Sequence, residues 1–152
     1  MGRTATNASR PNMGDRMKID KYDKIFSQVV REAADWECEI CHRSNIRMEC
    51  SHDRSRRYVL TRYDPRNAIC SCSGCHRRTT ESADDHVESF RRIKGSEVRQ
   101  LMRELSNSRG RLKKFEREAI HKHYKRELGR IKALRMNGKV GKIEVEVPEV
   151  LL

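Results

Sequence analysis

The chain has 152 residues, with 34 Lys and Arg against 22 Asp and Glu, a formal charge of +12. Its 36% hydrophobic and 5% aromatic content, against 37% charged residues, supports a small core and excludes a large enzyme fold around a deep pocket. No apolar run is long enough to span a bilayer, and the opening residues lack the apolar segment of an export signal. Six Cys in such a chain favour metal ligation over a disulfide framework, and the basic balance points to a polyanionic partner.

Residues 1–18 are polar and read as a flexible N-terminal arm. Asp20 is placed to cap a helix that fills most of 19–35. Tyr22, Phe26, Val29, Val30 and Ala33 recur at three- and four-residue spacing and continue the stripe begun by Ile19. From 36 to 81 the texture changes. All six Cys fall here, while Val59, Leu60, Tyr63 and Ile69 are too few to build an unassisted core, so a metal clip is expected. Short strands are expected over 47–50 and 57–62. Asp64-Pro65-Arg66-Asn67 forms a turn, and a helix starts near Cys72 or Ser73.

Residues 82–136 read as a basic helical region, most simply two antiparallel helices. Val98, Leu101, Met102 and Leu105 mark the first, and Asn107 to Gly110 break it. Leu112, Phe115, Ala119, Ile120, Tyr124, Leu128, Ile131 and Leu134 mark the second, as core or as a homodimer seam. Asn137-Gly138 stops that helix. Over 137–152, alternating Ile143, Val145 and Val147 predict one short strand before Pro148. The fold class expected is α+β: a small zinc-stabilised module between a flanking N-terminal helix and a C-terminal helical hairpin. Residues 109–142 hold 13 Lys or Arg and 3 acids, most of the net charge of the chain.

Cys38-x-x-Cys41 and Cys72-x-x-Cys75 are two knuckles, each bringing two thiolates to one metal. Four thiolates form a closed tetrahedral site of the kind structural Zn²⁺ occupies. Cys50 and Cys70 read as buried thiols on the short strands, and a ligand set that includes Cys70 stays open. His52, Asn67 and His76 lie between or beside the knuckles. Read singly, His52 is a packed strand histidine, Asn67 a turn residue and His76 a helix-start residue or zinc ligand.

Together, Cys38-x-x-Cys41, His52, Asp64-Pro65-x-Asn67 and Cys72-x-x-Cys75-His76 resemble a zinc-bearing HNH nuclease of the ββα-metal class. His52-x-x-Ser55-Arg56 and Thr61-Arg62-Tyr63-Asp64-x-x-Asn67 resemble the phage NinG (lambda Rap-like) recombination family, over roughly residues 36–106. The resemblance implies a metal-dependent DNA endonuclease acting on branched or recombination-intermediate DNA in a bacterial host cytoplasm. It makes His52 the general base, Asn67 the brace of the hairpin and His76 a ligand of Mg²⁺ or another divalent cation.

Arg56 suits the scissile phosphate, with a plain surface role as the competing reading. Many members of the class carry Asp immediately before the first His, where this chain has Ser51. Asp53 is the nearest replacement ligand, and an ion pair with a nearby Arg is its other reading. Arg54, Arg57, Arg62, Arg66, Lys113, Lys114, Lys122, Lys125 and Arg126 are the expected contacts to the DNA backbone. His42, His86, His121 and His123 lack such a context and read as surface groups. Two other functions fit parts of the pattern: a non-catalytic zinc-containing DNA-binding protein, and a sequence-preferring HNH nickase or restriction-type nuclease.

Overall fold

The computed structural model describes residues 17–152, so the arm expected over 1–18 lies almost wholly outside the described residues. Among the described residues the architecture is α+β, with five α-helices around a two-stranded antiparallel sheet.

Helix α1 spans Lys21–Ala33. Asp20 starts it with a reciprocal cap. Its carboxylate accepts from Asp23 N at 2.8 Å, and the Asp23 carboxylate accepts from Asp20 N at 2.9 Å. The predicted stripe of Tyr22, Phe26, Val29, Val30 and Ala33 is buried, whereas Ile19 is exposed. Burying a side chain such as Phe26 contributes about 1.5–3 kcal/mol, so this face holds α1 to the rest of the molecule. Asp35 and Trp36 take left-handed backbone angles and turn the chain into the first Cys knuckle.

Strand β1 (Met48–His52) pairs with β2 (Ala68–Cys72), with Met48 opposite Cys72 and His52 opposite Ala68. The second strand therefore lies later than expected. Residues 57–62 form turns that expose Tyr58 and Val59, because β2 takes the place beside β1. All five residues of β2 are buried, so it lacks the alternation that marks a half-exposed strand. Helix α2 (Ser73–Glu81) follows directly, with Cys72 at its N-cap accepting from Cys75 N.

Three helices, not two, occupy residues 82–136. Ser82 caps α3 (Ala83–Lys94) by accepting from Asp85 N at 3.2 Å. Gly95, at φ 86°, then permits the sharp turn into α4 (Ser96–Asn107). Met102 buries the inner face of α4, while Leu101 stays exposed. Helix α5 (Lys114–Met136) ends as expected, with Asn137 at the C-cap and Gly138 at φ 89°. Lys139 N then donates to Leu134 O at 3.0 Å, satisfying a carbonyl of the last turn.

The buried stripe of α5, Ile120, Tyr124 and Ile131, packs on α1 and joins the single core cluster. Leu112, Leu128 and Leu134 lie partly buried against it, whereas Phe115 is exposed. The segment around Ile143, Val145 and Val147 forms no strand. Its polar backbone groups find non-sheet partners: Ile143 N donates to Ala33 O, Arg130 donates to Glu144 O, and Glu146 N donates to Glu127.

Candidate metal centre and basic groove

The four thiols of Cys38, Cys41, Cys72 and Cys75 come together with their sulfurs all within 4.8 Å of one another. Zn–S bonds of about 2.3 Å in a tetrahedron separate the sulfurs by about 3.8 Å. The Cys41 and Cys72 sulfurs are 3.8 Å apart, so the set fits a structural zinc ion. Burial opposes ionisation of Cys38, but backbone donors of the knuckles outweigh it and bring the thiol down to about 7. Burial and the neighbouring thiols hold Cys75 well above the usual range, a repulsion that a divalent cation would relieve.

Cys70 does not join this set. It faces Cys50 across the sheet, and burial pushes both thiols up to about 12, where neither offers a thiolate.

The hairpin and α2 open onto a groove of about 1380 Å³, which Lys24 and Arg31 of α1 also line. His52, at the end of β1, sits in it beside the Phe26 ring, 5.8 Å between centroids. Its Nε2 is 3.0 Å from Arg62 O. A carbonyl only accepts, so Nε2 carries the proton and Nδ1 keeps a lone pair. Burial lowers the pKa of His52 to about 4, against the opposing pull of the Arg62 carbonyl, so the ring is neutral at physiological pH. The carbonyl is itself held in place, because Arg62 forks onto Asp23 at 2.9 and 2.5 Å.

Asn67 is fully buried and braces the loop between the strands. Its oxygen accepts from Arg54 N at 2.7 Å, and its amide donates to Arg54 O and Thr61 O, both at 3.0 Å. His76, in the first turn of α2, lines the same groove, with Nδ1 2.6 Å from the Glu49 carboxylate.

Asp53 behaves according to its second reading. Its carboxylate accepts from Arg99 at 2.8 and 3.0 Å and lies 2.9 Å from His86 Nε2, with the side chain only 4% exposed. Burial alone would raise its pKa, but His86 and Arg99 draw it down to about 2. That engagement ties the loop to α3 and α4 and leaves the carboxylate no open side for a cation. It also corrects the reading of His86 as a surface group.

Of the expected DNA contacts, Arg54 and Arg56 line the groove. Arg54 donates to Ser106 and lies over the Tyr58 ring, while Arg56 has no acid partner among the described residues. Arg62 and Arg66 pair with acids of the molecule itself, Asp23 and Asp64 respectively. Arg57 is exposed outside the groove, as are Lys113, Lys114, Lys122, Lys125 and Arg126 on and before α5. Groove residues such as Arg31, Glu49, Arg99 and Arg103 gave no signal in the sequence, because chain separation hides their meeting.

Among the described residues, the four thiolates are the only group of three or more metal-ligating side chains, and no helix is long and apolar enough to cross a membrane. No known protein family, curated protein or solved structure matches the chain.

Proposed function

We propose that the protein is a zinc-stabilised, metal-dependent DNA endonuclease of the HNH type, acting on branched or recombination-intermediate DNA. One observation carries this reading. A half-buried, neutral histidine, oriented by a backbone carbonyl, shares a groove lined with arginines with a second histidine on the following helix. The strand–strand–helix order and the bracing by Asn67 support it.

In this reading the groove holds the DNA backbone and Arg56 engages the scissile phosphate. His52 takes a proton from water at Nδ1 as the water oxygen bonds to phosphorus. The bond from phosphorus to the 3′ oxygen breaks, and that oxygen takes up a proton, leaving 5′-phosphate and 3′-hydroxyl ends. A hard divalent cation such as Mg²⁺, held in part by His76, would offset charge on the phosphate and the leaving oxygen. The zinc has no part in the reaction, since four thiolates close its coordination.

Lys122, Lys125 and Arg126 lie on the exposed face of α5, apart from the groove. They give a second basic surface, suited to another stretch of duplex.

A second reading, a non-catalytic zinc-containing DNA-binding protein, is favoured by the presence of one cluster of three or more metal ligands among the described residues. Cleavage of labelled linear, flap, three-way and four-way DNA with Mg²⁺ or Mn²⁺ decides between them. The nuclease reading expects cutting by the wild type and a loss on the order of 10²–10⁴-fold in His52→Ala with binding retained. Binding without cutting by the wild type under every divalent ion supports the second reading.

A further inference from the structure

The groove needs a carboxylate for a hard cation, and neither expected position supplies one. Position 51 is Ser, its hydroxyl 2.5 Å from that of Ser71 inside the molecule. Asp53 is enclosed by Arg99 and His86. Asp23 is enclosed by Arg62 and only 6% exposed.

Glu49 is different. It lies on β1 two residues before Ser51, and its carboxylate meets His76 Nδ1 at 2.6 Å in the groove. Its other contacts are the Ser73 hydroxyl, which donates at 3.4 Å, and the Arg47 guanidinium at 3.4 Å, on a side chain that is 82% exposed. Both Glu49 and His76 sit on rigid supports. Glu49 is opposite Ser71 in the ladder, and His76 directly follows Cys75 of the thiolate set.

We propose that Glu49 and His76 form the binding site of one Mg²⁺- or Mn²⁺-class cation, with Glu49 supplying the carboxylate that Ser51 cannot. The proposal rests on the nuclease reading for the use of the ion but not for its binding. One oxygen and one nitrogen donor are enough for such an ion, which keeps several waters and takes further oxygens from phosphate. Glu49 Oε2 and His76 Nδ1 lie 2.6 Å apart, close enough for one ion to take the place of the proton they share and be held by both atoms.

The test uses full-length, zinc-loaded protein with Mn²⁺ as the probe. Free Mn²⁺ is followed by electron paramagnetic resonance, and broadening of the His76 ring signals by nuclear magnetic resonance. Glu49→Gln and His76→Ala should each weaken Mn²⁺ binding at least about tenfold. Glu81→Gln, another acid of the groove, should leave it unchanged. Zinc content and circular dichroism report whether each variant is folded. Wild-type Mn²⁺ affinity in folded Glu49→Gln overturns the site, as does a wild type in which Mn²⁺ leaves the His76 ring unbroadened.

Cleavage separates the two claims. If the wild type cuts DNA and Glu49→Gln cuts equally well, the site is refuted and the nuclease reading stands. If Mn²⁺ binds through Glu49 and the wild type cuts nothing, the site stands and the nuclease reading falls.

Discussion

Replacing Asn67 with Ala should damage stability and chemistry together. The side chain makes three hydrogen bonds, to Arg54 N, Arg54 O and Thr61 O, from a fully buried position. Removing it strands one backbone donor and two backbone acceptors inside the loop. Each such loss costs on the order of 1 kcal/mol, so the total is about 3 kcal/mol. For a chain of this size that is a fall in Tm of roughly 10 °C. Arg54 is two residues from His52, and a displacement of about 1 Å at a reacting group lowers turnover on the order of 10²-fold. Thermal unfolding by circular dichroism gives the first quantity, and cleavage assayed well below the new Tm gives the second. Asn67→Asp serves as a control: it keeps the acceptor for Arg54 N but turns a carboxylate toward two carbonyls, so it should be no better. A loss below about 1 kcal/mol, with cleavage intact, would show that Asn67 is an ordinary turn residue.

Cys38→Ser, or removal of zinc by a chelator, should unfold the hairpin and α2 and lower zinc below one ion per chain by atomic absorption; an unchanged fold without zinc refutes the clip. Changing Lys122, Lys125 and Arg126 to Ala should reduce the salt dependence of DNA binding by about 0.9 per lost phosphate contact. His52 chemistry on a short linear duplex should be retained, and an unchanged salt slope places the DNA elsewhere. His52 and Asp53 both contribute to the response to acid, beside Asp23, Glu118 and Glu127, whose carboxyls are also held below their usual range. The folded pKa of His52 is depressed to about 4, so stability falls as pH drops below its unfolded value of about 6.5 and levels off near 4. The folded pKa of Asp53 is depressed to about 2, so its contribution is complete above about 4 and is lost as pH falls toward 2. Denaturant midpoints should therefore decline from about pH 6.5 downward in the wild type; in Asp53→Asn the step between about pH 4 and 2 should shrink, the remainder coming from Asp23, Glu118 and Glu127.

Local signals in the sequence carried far. The Asp20 cap, the stripe of α1, the two Cys knuckles and the Asn137-Gly138 stop all act within a few residues, and each lies where its chemistry places it. The second strand was misplaced because Tyr58, Val59 and Thr61 look more strand-like than Ala68-Ile-Cys-Ser-Cys72, which is buried throughout and shows no period of two. The alternation at Ile143, Val145 and Val147 predicted a strand for which the fold offers no partner. Glu127, Arg130 and the Ala33 carbonyl satisfy that backbone instead. The pairs that define the groove join residues far apart: Glu49 with His76, Asp53 with His86 and Arg99, Asp23 with Arg62. No spacing rule reports such meetings, so the sequence leaves Asp53 open between a cation ligand and an ion pair with a nearby Arg.

The first turn of α2 serves two masters. Cys72 and Cys75 bind that turn to the thiolate set, and the very next side chain is His76. The helix start is therefore a shared bearing: whatever loosens the sulfurs, whether oxidation, acid or chelation, also swings the imidazole away from Glu49. Loss of an ion with no chemistry of its own would thereby be felt in the groove, and the His76 ring should lose its place beside Glu49 in step with the unfolding of the hairpin and α2.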